Sequence, residues 1–253
     1  MKQFVTFGTA IMFLTRLPVG GFCSADAAVL ARSSAFFPLV GALIGGILSL
    51  ALVILSTVFP TSVVIALIIV LSVLLTGAFH EDGLADVFDS AGAFDRDKKL
   101  EIMRDSRVGT YGSLALILMV LVKFFSLWEL LESHLSLCIA TLFAAHILSR
   151  WASVWLMATC IYARAEAANK VVAEGVKSRE LLLASLWTLL LLMPLAIVVS
   201  PAMWLAIPIA WLVTIICAHR FRRLLGGITG DCLGAANQLV EVSVYLFALA
   251  FFL

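Results

Sequence analysis

Apolar residues run almost unbroken through seven stretches of the chain: Leu39 to Phe59, Ser62 to Phe79, Leu114 to Leu131, Leu135 to Met157, Leu181 to Val199, Met203 to Ala218 and Leu239 to Leu253. Most approach the roughly 20 residues that an α-helix needs to cross a bilayer, so the pattern predicts six or seven spans, the last one short. Pro60, Glu132-Ser133-His134 and Ser200-Pro201 read as tight turns, and residues 80–112, 163–180 and 219–238 as longer polar connections on the other side. The expected fold is all-α, a polytopic membrane helix bundle forming one domain over residues 1–253. The apolar stretch Phe4 to Leu14 resembles a signal peptide, but Arg16 and Pro18 interrupt it and no soluble domain follows, so an interfacial or re-entrant helix is expected.

Composition agrees: 63% of the residues are hydrophobic, 13% are charged and the mean hydropathy is +1.12. A net charge of +1 argues neither for nor against nucleic acid, but the positive charges form no long basic stripe interleaved with aromatics, so no nucleic-acid partner is expected. Cys23, Cys138, Cys160, Cys217 and Cys232 have no zinc or redox spacing and read as packing residues. Lys and Arg gather before the first span and in the three long connections (Arg96, Lys98, Lys99, Arg104, Arg107; Arg164, Lys170, Lys177, Arg179; Arg220, Arg222, Arg223) and are nearly missing from the opposite turns. The positive-inside rule therefore puts those connections in the cytoplasm, with the protein in the cell inner membrane. Gly41 and Gly45 form a G-x-x-x-G that predicts close helix packing.

Against this background the segment Glu81-Asp82-Gly83-Leu84-Ala85-Asp86-Val87-Phe88-Asp89 is costly. On a helix, Asp82, Asp86 and Asp89 fall within roughly 60° of one another, so three carboxylates share a face. They repel unless a cation sits between them. Oxygen ligands suit Mg²⁺, which typically takes one or two carboxylates together with substrate phosphates, so the cluster predicts a metal-diphosphate site; a solvated helix start is the plainer alternative. His80 directly precedes it. Arg104 and Arg107, flanking Asp105, are expected as i, i+3 neighbours on a short helix whose forks bind phosphate, with Gly109 and Gly112 ending it. A third patch, Arg222 to Asn237, holds Gly227, Thr229, Gly230 and Asp231 in a turn that opens a helix, a fit for an anion, although Asp231 alone also reads as an N-cap. Glu241 follows inside an apolar span, where a carboxylate costs at least about 2.5 kcal/mol unless it meets a polar environment, and it is expected to face the site.

Together these patches resemble the adenosylcobinamide-GDP ribazoletransferase (cobalamin synthase) family. The resemblance rests on Thr15-Arg16-Leu17-Pro18-Val19, Phe37-Pro38-Leu39-Val40-Gly41, Asp82-Gly83-Leu84-Ala85-Asp86 with Asp89, Glu101-Ile102-Met103-Arg104-Asp105-Ser106-Arg107 with Gly109 and Gly112, and Thr229-Gly230-Asp231 with Gly234-Ala235 and Glu241, in order along nearly the whole chain. Glu81 and Ser90 depart from the family pattern. The resemblance implies a transferase joining adenosylcobinamide-GDP to alpha-ribazole or its 5′-phosphate with release of GMP. Mg²⁺ would be held by Asp82 and Asp86, with Asp89 as a further ligand or general base. Arg104 and Arg107 would hold the diphosphate, and the Gly227 to Asp231 turn the second substrate or a second metal. The partners implied are those two substrates and the bilayer, with self-association left open. A CDP-alcohol type phosphotransferase is the nearer rival, although Phe79 stands where its D-x-x-D-G spacing needs an aspartate. A cation transporter would favour acids near the bilayer midplane and repeated halves.

Overall fold

The computed structural model describes residues 2–164, 172 and 174–253. Residues 165–171 and 173 of the expected connection 163–180, Lys170 among them, lie outside the described residues. Every regular element among those described is helical: α1 (Lys2–Leu14), α2 (Ala27–Ser33), α3 (Phe37–Leu55), α4 (Thr61–Thr76), α5 (Phe79–Ser90), α6 (Arg96–Ile102), α7 (Thr110–Ser133), α8 (Leu135–Thr159), α9 (Ser178–Val198), α10 (Ala206–Leu225) and α11 (Gly230–Phe252), with 3₁₀ turns at Ser34–Phe36 and Pro201–Leu205. Asp26 starts α2 by accepting hydrogen bonds from the Ala28 and Val29 amides, and the 3₁₀ turn carries that helix into α3. The protein is thus a multi-pass membrane bundle. Among the described residues, six helical segments are long and apolar enough to cross a bilayer, and counting α4 with the helix bent off its end would raise the number to seven. At 13 residues α1 is too short to span.

The innermost helix is α8, 83% of whose apolar window is buried against 22% for α7 and α9. Small residues let α3 lie directly on it. A Cβ on Gly41 would collide with the His146 carbonyl, and one on Gly45 would stand 3.0 Å from the Phe143 Cα, so the G-x-x-x-G is a helix crossing. The last span is not short. Its helix starts at Gly230, so most of the connection expected at 219–238 is the end of α10 and the start of α11. Asn237, Gln238 and Glu241 made this stretch read as polar, but all three are buried against neighbouring helices.

Helix α5 departs from α4 by 90°. The bend is made by two consecutive left-handed residues, Gly77 (φ 67°) and Ala78 (φ 58°), braced by Arg16, whose amide donates to the Leu75 carbonyl at 2.7 Å. Glycine adopts this conformation freely and alanine at a cost of about 1 kcal/mol. With α4 as the crossing segment, α5 lies across the end of the bundle, outside the spans, with His80, Gly83, Leu84 and Ala85 buried. The ends of α8 and α10 reach the same place: the Ala163 amide donates to the Ile228 carbonyl at 2.8 Å, the Ile228 amide donates to the Ile161 carbonyl at 2.9 Å, and Arg96 donates to the carbonyls of Leu225 (2.8 Å) and Ala163 (2.9 Å).

Candidate active site

The acids of α5 meet the start of α11 because two glycines permit it. A Cβ on Gly83 would lie 2.7 Å from the Asp231 carbonyl oxygen, and one on Gly234 would lie 3.1 Å from that of His80. Backbone therefore touches backbone, and Asp82 and Asp231 line one cavity of about 210 Å³ with His80, Gly83 and Gly230. Burial, followed by the charges of Asp231, Asp82 and Asp89, pushes the Asp86 carboxyl up to about 7. Four carboxylates thus share one field, and Arg164 pairs with one of them, its Nη2 standing 3.2 Å from the Asp231 Oδ2.

The three α5 aspartates do not act alike. Asp89 accepts the Gly109 amide at 2.7 Å on Oδ2 and the Gly112 amide at 2.8 Å on Oδ1. It thereby holds the N-terminus of α7, where otherwise unpaired amides and the helix dipole favour a negative charge. Among the described residues, no backbone amide donates to Asp82 or Asp86. Asp231 accepts a hydrogen bond from Thr229, and the Thr229 hydroxyl also accepts the Cys232 amide to cap α11. Gly227 lies too close to the Ile161 carbonyl for any side chain, and the Ile228 amide donates to that same oxygen, so this turn is stitched to the end of α8 instead of standing open as an anion cradle.

The arginine patch differs from expectation. Helix α6 stops at Ile102, so Arg104 and Arg107 lie in the turns after it and share no helical face. The segment leaves the helix where Arg164 approaches the Met103 carbonyl. The Arg107 fork clasps Asp105 (Nε to Oδ1 3.0 Å, Nη2 to Oδ2 2.6 Å), which holds that carboxyl down at about 2 and raises the guanidinium. Arg104 is exposed and makes no ion pair among the described residues.

Glu241 does not join the acids. It lies ten residues, about 15 Å of helix, beyond Asp231, and its Oε1 accepts from Lys123 at 2.7 Å and from Tyr245 at 3.0 Å. Its Oε2 has Arg150 and His146 at 3.7 Å. Sequence reasoning missed Lys123 and Arg150, although the signal that singled out Glu241, a charge inside an apolar run, applies equally to them. It also took Arg164 only as a charge that orients the protein. Its place after the end of α8 looks like that of any other cytoplasmic arginine, and only the fold puts it on Asp231.

Oxygen donors in excess negative charge suit a hard divalent cation, and Mg²⁺ needs only one or two protein carboxylates when phosphate oxygens and water complete its shell. Among the described residues no three His, Cys, Asp or Glu side chains stand ready to hold a metal by themselves.

A family profile described as "Cobalamin-5-phosphate synthase" matches residues 6–249. Among curated proteins, an adenosylcobinamide-GDP ribazoletransferase of Shewanella amazonensis is 38% identical over 97% of this chain and 95% of its own length. Proteins with the same name from Vibrio cholerae (37% identical, 98% and 95% covered) and Clostridium tetani (33%, 97% and 96%) match as fully. No solved structure matches. The motifs on which the resemblance rests therefore lie within a match that runs nearly end to end, and the chain belongs to the cobalamin-5-phosphate synthase family.

Proposed function

We propose that this protein joins adenosylcobinamide-GDP to alpha-ribazole or alpha-ribazole 5′-phosphate, releasing GMP and giving adenosylcobalamin or its 5′-phosphate, from a site on the cytoplasmic face of the cell inner membrane. The observation that carries this reading is that Asp82 and Asp86 from α5 and Asp231 from α11 are brought into one field with Arg164 beside them. The full-length relatives supply the substrate class. The Lys and Arg of the connecting segments supply the orientation.

In the reaction a ribose hydroxyl oxygen of alpha-ribazole bonds to the phosphorus that carries cobinamide. The bond from that phosphorus to the bridging oxygen breaks, and GMP leaves with that oxygen. Mg²⁺, when bound, neutralises charge on the phosphate oxygens as the leaving group departs. Asp82 and Asp86 would hold it together with phosphate oxygens of the substrate. Arg164 sits where it can pair with the diphosphate, and Arg104 and Arg107 border the same end of the bundle, suited to charge-assisted bonds to phosphate. The hydroxyl proton passes to a carboxylate that carries no backbone bond, Asp82 or Asp86. Asp89 positions the start of α7.

The test is turnover by purified protein in nanodiscs with adenosylcobinamide-GDP, alpha-ribazole and Mg²⁺. GMP should appear in step with adenosylcobalamin, and chelation of the metal should stop it. CMP release from a CDP-alcohol under the same conditions, without GMP release from the corrinoid, would sink the proposal.

A further inference from the structure

The cavity bounded by Asp82 and Asp231 has a second, apolar end that catalysis at the acids does not use. Its wall is a set of packed rings: Phe13 stacks on Phe37 (centroids 5.8 Å apart, planes at 15°) and meets Phe79 edge-on (5.5 Å, 75°), and Phe79 in turn meets the His80 ring at 5.4 Å. Met157 and Ser153 of α8, Leu233 of α11, Leu14 and Tyr162 belong to the same lining. His80 is 3% exposed, and its Nδ1 is buried without a hydrogen-bond partner. A buried imidazole nitrogen left unpaired costs about 1–3 kcal/mol, which a ligand atom would recover.

Resting on the function proposed above, we propose that this cavity binds the benzimidazole base of alpha-ribazole, with the ribose directed to the acids and His80 bonded to the free ring nitrogen. Three observations select that occupant. The volume of about 210 Å³ suits one bicyclic ring and excludes a corrin macrocycle. The lining is mostly aromatic and aliphatic, whereas guanine presents several donors and acceptors along its edge, each needing a partner on burial. A benzimidazole joined to ribose through one nitrogen has a single ring acceptor left, which one imidazole N–H satisfies. A lipid acyl chain would fill the apolar end and leave His80 unpaired. Stacked or edge-to-face contact with Phe13, Phe37 and Phe79 adds about 0.5–1.5 kcal/mol per ring pair.

The proposal is tested by narrowing the cavity from α8, by removing a ring contact on α1 and by removing the donor. Ser153→Leu on α8 and Phe13→Leu on α1 should raise the KM for alpha-ribazole at least tenfold while leaving that for adenosylcobinamide-GDP within about twofold. His80→Leu should raise it about tenfold, one buried hydrogen bond by the usual conversion of free energy to affinity. In parallel, titration of the unmodified protein with 5,6-dimethylbenzimidazole, which needs no turnover, should show binding that alpha-ribazole displaces and guanosine does not, and that Ser153→Leu weakens. A rise in the adenosylcobinamide-GDP KM instead would assign the cavity to guanine and overturn the proposal, as would unchanged constants in all three variants. Absence of GMP release by the unmodified enzyme would defeat the function proposed above, whereas the titration decides the cavity separately.

Discussion

Two groups of charge occupy this molecule, and they are settled in opposite ways. At the end of the bundle, Asp82, Asp86 and Asp231 crowd together with Arg164 as their cation. Deep between α7, α8 and α11, one carboxylate, Glu241, is surrounded by Lys123, Arg150, His146 and Tyr245, every one of them at least nine-tenths buried. In a low dielectric an uncompensated charge is expensive, so the buried carboxylate takes its cations from the chain itself. The outer group, half-open to water, tolerates an excess of negative charge until a ligand offsets it. The difference teaches where to look for function: on the reading proposed above, the charge that the protein leaves uncompensated is the site, and the buried carboxylate with its cations is what joins the helices.

The largest effects should separate the two groups by readout. Asp82→Asn, Asp86→Asn or Asp231→Asn keeps shape and removes a carboxylate charge, so GMP release should fall by orders of magnitude with unfolding temperature unchanged or raised, since like-charge repulsion is relieved. Glu241→Gln should do the reverse. It leaves Lys123 and Arg150 buried beside a neutral amide, a loss of about 3–5 kcal/mol by denaturant unfolding, and Lys123→Met added to it should recover part of that loss. If Glu241→Gln unfolds like the parent yet is inactive, the contrast drawn here is wrong and Glu241 belongs to the site.

Arginine-to-lysine exchanges sharpen the outer group. Arg164→Lys keeps charge but loses the fork and should lower turnover by about 10–100-fold. Arg104→Lys and Arg107→Lys should cost less, and Lys98→Arg should cost nothing measurable. Equal effects from all four would mean that the arginines serve only as surface charge. The acids also carry a pH signature. The Asp86 carboxyl is raised to about 7 in the folded protein, above its ordinary value, so the folded state holds the extra proton. Its contribution to stability is complete below the ordinary carboxylate range and is lost as pH rises through about 7. Without divalent cation, the unfolding temperature should therefore fall between about pH 4 and pH 7, and Mg²⁺ should restore it most strongly above pH 7. A flat profile, identical in Asp86→Asn, would remove Asp86 from the crowded field.

The spans were legible because the bilayer imposes both length and hydropathy on them, and α3, α7, α8 and α9 fall where apolar runs predict. The acidic motif was legible for the same reason, since charge there is costly. What escaped was pairing. Nothing local in the sequence connects Glu241 with Lys123 and Arg150, which come from two other helices, or Arg164 with Asp231. The shared face of Arg104 and Arg107 failed because a seven-residue helix has little stability of its own, and the turn after Ile102 is set by its neighbours. Glu81, a departure from the family pattern, accepts a hydrogen bond from Gln238 of α11 at 3.2 Å and so ties α5 to the same helix that carries both groups.

The smallest predicted effect lies at the bend that keeps the two groups apart. Gly77 and Ala78 turn α5 by 90°, away from the line of α4; a straight continuation would have carried Asp82 and Asp86 along the span toward the lipid. Gly77→Ala puts a Cβ on a left-handed residue packed against the Arg16 side chain and should cost about 1 kcal/mol or more. Ala78→Gly relieves a comparable strain, but the glycine also frees the unfolded chain, so the two terms nearly cancel and a net gain of only about 0.5 kcal/mol is expected. Turnover should survive in Ala78→Gly, because the geometry is already the one glycine prefers. Should that variant lose activity while gaining stability, the strained alanine would be setting the angle of α5 actively, and the acids would owe their position to the bend more than to the Gly83 and Gly234 crossing.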